Sequence, residues 1–258
     1  MKTTRLTGEF LYPDMSESSF PWLHLLDAVI WKLDHTKKVS FPIAYSLYYS
    51  IILDIAGVLE GFINEILETS LEEKTTTSYT SEQLDKLIEV DENDEEDEKT
   101  DDFKFRLFDN LRERIQNSTW SGYNEIFKLI FGKEMQNSVT IDTWKCINSL
   151  FIFRNMIIHG KILTFNYVQV NESNEFSITV ENKYQKVYSY LTEYKLIEAT
   201  PNGSVDIINY QVVLHYYNSM NDFMREIIAS IDNKIERDRI VEIFSLDRKL
   251  INLLPYPK

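Results

Sequence analysis

A single cysteine, Cys146, among 258 residues leaves no internal disulfide and no thiolate zinc site. That excludes zinc fingers and disulfide scaffolds and suits a reducing compartment. Glycine and proline are nearly as scarce, with 7 and 6 in the chain. Multi-stranded sandwiches and barrels need more turn residues than this, and a Gly-rich dinucleotide loop has nowhere to sit. Long apolar runs are missing as well. No stretch of about 18 residues is free of charge, and the N-terminal MKTTRLTGEFLYPDM has no apolar run of signal-peptide length, so the expectation is a cytoplasmic protein with no membrane partner. What remains is 43% hydrophobic, 13% aromatic and 26% charged residues, enough to bury a core without covalent staples. The fold class expected is all-α.

Positive charge is the remaining shortage. With 27 basic against 41 acidic residues the net charge is −14, which argues at first against a phosphate-bearing partner. The distribution weakens that objection. Residues 89–102, EVDENDEEDEKTDD, hold ten acids against one base, Lys99, and so account for nine of those fourteen charges. A block of like charges repels itself and reads as a disordered, solvated loop, with a polyanion mimic guarding a basic groove as the sharper alternative. It lacks the turn glycine and the spaced ligands of a calcium loop.

Apolar periodicity marks the helices. One is expected from Ser19 to Lys37–Lys38. After Pro42, the stripe Leu47, Ile51, Ile55, Val58, Leu59, Phe62, Ile63 and Ile66 repeats at 3.6 residues and predicts a long core helix closing near Ser70. Gly57 and Gly61 leave a shallow line along it, suited to close packing within the domain or to a subunit contact. Helices are further expected over 103–115, over 123–131 with Gly132 as terminator, over 141–159, 183–196 and 212–231, and over 238–253. The segment 162–180 alternates about a NESNE turn and reads as a β-hairpin insertion. No linker divides the chain, so 1–258 reads as a single helical domain.

Chemistry concentrates in TWKCINSLFIFRNMIIHGK, residues 143–161. At 100° per residue, Asn148, Asn155 and His159 share one strip, and Arg154 lies about 140° round from His159. A guanidinium forks onto phosphate oxygens, an imidazole moves a proton near neutral pH, and an amide can orient either. Gly160 predicts that the helix ends at His159, where the C-terminal dipole favours a protonated imidazole suited to a general acid. The plainer alternative is a satisfied, partly buried Arg and His with no chemistry to perform.

Arg154-Asn155-Met156-Ile157-Ile158-His159 resembles the Arg-x4-6-His motif, in its common Arg-Asn form, of HEPN domains, the higher eukaryotes and prokaryotes nucleotide-binding family. The resemblance covers residues 40–70 and 140–235, with the acidic loop and the hairpin as insertions. It implies an all-α bundle and a metal-independent endoribonuclease needing no cofactor, in which the ribose 2′-OH attacks the adjacent phosphate and leaves a 2′,3′-cyclic phosphate. It also implies RNA as partner, a homodimer with two motifs facing one groove, and a toxin or phage-defence setting with an antitoxin or regulatory partner. His159 would be the general acid or base, Arg154 would stabilise the phosphorane and Asn155 would orient the pair. The competing reading is a catalytically inactive HEPN module that binds nucleotide or RNA, or serves as a dimerising partner. Position 161 is Lys, whereas HEPN toxins paired with nucleotidyltransferase antitoxins carry Tyr there, so that branch is not indicated. Glu60 resembles an acidic position often seen in the family's long helix, but the helical wheel sets it opposite the apolar centre and it is left out of the site.

Other candidates are weaker. Glu181-Asn182-Lys183 is half of a metal-nuclease motif whose other half is absent. His24, His35 and His215 stand alone in sequence and read as packing or surface residues. Tyr184, Tyr188, Tyr190 and Tyr194, interleaved with Lys183, Lys186 and Lys195, read as core with a solvated rim, or as a base-stacking face.

Overall fold

The computed structural model describes residues 21–78, 108–160, 165–169, 176–180, 185–198, 206–234, 237–238 and 240–241. These are mostly helical. The helices are α1 (Pro21–Thr36), α2 (Phe41–Ser78), α3 (108–116), α4 (Trp120–Phe131), α5 (Ile141–Ile158), α6 (Gln185–Glu193) and α7 (Tyr210–Ala229). A short 3₁₀ turn, Met135–Asn137, lies between α4 and α5. Strands β1 (Phe165–Gln169) and β2 (Phe176–Val180) pair antiparallel, with Tyr167 opposite Ile178. The acidic stretch 89–102, the turn at 201–203 and nearly all of the expected 238–253 helix lie outside the described residues.

The long helix α2 is the axis of the fold. It packs against α1, α4, α5 and α7, and Ile51, Ile55, Val58, Leu59, Phe62, Ile63 and Ile66 along it are fully buried. Burying a side chain of this size contributes roughly 1.5–3 kcal/mol, so this stripe explains why the helix forms whatever its local propensity. It begins at Phe41 and runs to Ser78, past the end expected near Ser70. The start is compatible with Pro42 because the first turn needs no N–H at that position. Just past the expected end, Leu71 is buried in the core.

Helix α1 lies close along α2 because Gly57 and Gly61 have no side chain there. A Cβ at Gly61 would collide with the Trp22 side chain, and one at Gly57 would come within 2.8 Å of the Leu25 Cδ1. The two glycines therefore serve packing within the chain. Lys32 of α1 bridges to Asp54 and donates to Ser50 Oγ at 2.6 Å, tying the polar margin of the same contact. Among the described residues, buried side chains from each of these helices join one core cluster, α3 contributing Ile115. Among the described residues, no helix is long and apolar enough to cross a membrane.

Candidate functional site

Helix α5 is held at both ends by its own sequence. Thr140 caps its N-terminus in extended backbone, accepting from the Thr143 N–H at 3.3 Å, with Asp142 in the first turn. The Glu226 carboxylate of α7 accepts the Thr140 N–H at 2.6 Å, so the start of α5 is tied to a second helix as well as capped. Cys146, Ile147, Leu150 and Phe153 are buried, and Ser149 bonds the fully buried Tyr216 hydroxyl at 2.9 Å. At the other end His159 is the C-cap, its N–H donating to the Asn155 carbonyl at 3.1 Å. Gly160 follows at φ +55°, the left-handed conformation that closes a helix at little cost only for glycine.

Three candidate residues project from this closing turn and a half. Arg154 is half-buried, while Asn155 and His159 are exposed. The Arg154 guanidinium donates to the Asn155 Oδ1 at 3.0 Å and lies 3.7 Å from the Glu60 carboxylate on α2. Arg154 and Asn155 are thus brought together by their side chains, and Asn155 and His159 by the helix backbone. Among the described residues no hydrogen bond or ion pair joins the His159 ring to Arg154 or Asn155.

Glu60, which the sequence reading leaves outside the site, lies beside Arg154. A wheel opposite the apolar centre points to solvent only if one side of the helix is free, and α2 has helices on several sides, so its polar face meets α5. Burial pushes the Glu60 carboxyl above its ordinary range, and the Arg154 charge pulls it partway back. A half-exposed pair at this distance contributes no more than about 1 kcal/mol, so its consequence is where the guanidinium points.

Several other cysteine, tyrosine and histidine side chains are tied into the packing of the bundle. Cys146 is buried, with its thiol pushed up to about 11 by desolvation. The Tyr190 hydroxyl meets His215 Nε2 at 2.6 Å, and burial holds the His215 ring below its usual value. His35 stacks on Trp31 with its Nδ1 2.8 Å from the Trp31 carbonyl, and His24 is exposed. Tyr190 is buried with Tyr188 and Tyr194 at its margin, as expected of a core-and-rim face, and Tyr194 donates to Asp142 at 2.8 Å. Glu181, Lys183 and Tyr184 lie outside the described residues. Comparison with family models, with curated proteins and with solved structures gave no match for this chain.

Proposed function

We propose that this chain is a single-domain, HEPN-like endoribonuclease of the cytoplasm that cuts RNA without metal, its hairpin and acidic loop being insertions in the helical bundle. The observation that carries the reading is the Arg154–Asn155 side-chain pair beside an exposed His159 at one capped helix end. His159 is the proton-transfer group, and its exposure allows a ribose 2′-OH or a leaving 5′-oxygen to reach it. Arg154, held by Asn155 and Glu60, supplies charge to the phosphorane. In-line displacement needs both a base and an acid, and one His serves one role at a time, so a homodimer with two motifs across a shared groove completes the site. A toxin or phage-defence role, with an antitoxin or regulatory partner, belongs to the same reading.

A second reading has its own support. Arg154 is aimed at Glu60, and among the described residues no polar contact joins it to the His159 ring, which favours an inactive module that binds nucleotide or RNA or acts as a dimerising partner. One experiment separates the two. The full chain incubated with RNA in EDTA should yield 2′,3′-cyclic ends, and His159→Ala should lower cleavage by about 10²–10⁴-fold with little change in thermal midpoint, the ring being exposed. Intact RNA with the parent protein, or cleavage by a protein that sediments as a monomer, would count against the catalytic dimer.

A further inference from the structure

The helix that ends at His159 also borders a groove the motif does not explain. Lys145, Asn148 and Ile152 of α5 face Lys186, Tyr190 and Glu193 of α6 across an open groove of ≈ 540 Å³. At 100° per residue Lys145, Asn148, Ile152, Asn155 and His159 fall within a strip about 80° wide that runs about 21 Å along the axis. Along that strip Lys145, Asn155 and His159 are exposed and Asn148 and Ile152 half-buried. The α5 wall of the groove and the candidate residues Asn155 and His159 therefore share one face of the helix. Its chemistry is of mixed kind: ammonium groups at the rim, an amide within, and an aliphatic and aromatic floor. The Tyr190 ring is held in place by its hydroxyl contact with His215, so the floor is rigid.

We propose that this groove is a subsite for single-stranded RNA leading to His159, with Lys145 and Lys186 on phosphates, Asn148 on a base edge or 2′-OH, and Ile152 and Tyr190 under a ribose or base. The assignment rests on the ribonuclease reading of Arg154, Asn155 and His159. The argument is the match of donor types to a nucleotide strand, and a distance to His159 of several nucleotides. Glu193 lies 3.7 Å from Lys145 with both side chains about half exposed, and it acts as an internal competitor that a phosphate displaces. Surface ion pairs of this kind are weak enough to exchange.

The test uses the full chain and two substrates, a dinucleotide and an oligoribonucleotide long enough to reach the groove from His159. In the Lys145→Gln/Lys186→Gln variant, KM for the long substrate should rise about tenfold at low salt. The slope of log affinity against log salt should also flatten by about 0.7 per lysine removed. Cleavage of the dinucleotide and kcat should hold. Glu193→Gln should act oppositely, tightening the long RNA while leaving the dinucleotide unchanged. A parent enzyme that cuts both substrates while these variants leave KM and the salt slope unaltered would overturn the subsite and spare the ribonuclease reading. A parent that neither binds nor cuts RNA would overturn both. Loss of self-association in the double variant, with RNA affinity intact, would assign the groove to a second copy of the chain and so overturn the proposal.

Discussion

Glu60 and Glu65 sit on the long core helix α2, and both carboxyls are raised, in each case by desolvation first. For Glu65 the neighbouring charges of Glu68 and Glu72 push the same way, and a hydrogen bond with Thr69 opposes them. A raised acid binds its proton more tightly folded than unfolded. Its stabilising effect is therefore present at low pH and is lost as pH climbs from the ordinary glutamate range through the folded value. Asp34 and Glu134, lowered by Lys38 and Lys128 respectively, act in the opposite sense and only as pH falls below the ordinary carboxylate range. We therefore expect Glu65→Gln to raise the thermal midpoint at neutral pH by about 1–2 °C, and to gain less than the parent on mild acidification. Thermal scans of both proteins between neutral pH and the glutamate range check this, and a lower midpoint at neutral pH would contradict it. Glu60 also marks what a single sequence could not reveal. The Arg-Asn-x3-His spacing is local and could be read from one helix, whereas the partner of Arg154 comes from a helix nearly a hundred positions away. Only tertiary packing joins the two.

Helix ends and helix faces differed in how far local chemistry decided them. Gly132 and Gly160 adopt positive φ and end α4 and α5 where their sequence positions implied, because that conformation is cheap only without a Cβ. The end of α2 lies at Ser78, past the end expected near Ser70, and the burial of Leu71 just beyond that point is a tertiary contact no local signal records. The Gly57 and Gly61 pair was legible as a close approach, but the approaching partner was not. The structure now separates the two positions. In a helix interior, replacing glycine by alanine would ordinarily gain about 1 kcal/mol. At Gly61 the new methyl meets the Cβ and ring of Trp22, a clash at the root of the side chain that only a shift of the α1 backbone would relieve, and overpacking of this kind costs about 1–3 kcal/mol. At Gly57 the obstacle is the far end of Leu25, a partly buried side chain that can turn aside. Gly61→Ala should therefore lower the thermal midpoint by several degrees and Gly57→Ala should leave it nearly unchanged or raise it, as differential scanning calorimetry of the pair will show. Equal losses at both positions would mean that α1 cannot shift at all.

At the scale of the whole molecule the governing quantity is charge. The net −14 opposes RNA, yet nine of those charges sit in residues 89–102, and removing them leaves −5. Exposed charges act over about 10 Å at 0.1 M salt and about 3 Å at 1 M, so if the stretch is a solvated loop away from the bound strand it repels RNA only weakly once salt is present. On that arrangement, and on the ribonuclease proposal, deleting residues 89–102 should leave the thermal midpoint and kcat almost unchanged and tighten RNA binding modestly, because shortening a surface loop costs little closure entropy. The rival arrangement makes a different prediction. If the stretch lies over Lys145, Lys186 or Arg154 as a polyanion mimic, it competes with phosphate for the same cations, and its deletion should activate cleavage strongly at low salt and only slightly at high salt. The self-repulsion of ten acids against one base favours the solvated loop over a folded plug, since docking would have to concentrate those charges as well as order the chain. Cleavage rates of parent and deletion at two salt concentrations decide between them: a deletion that accelerates the reaction equally little at both supports the solvated loop, and a large activation confined to low salt would establish the plug.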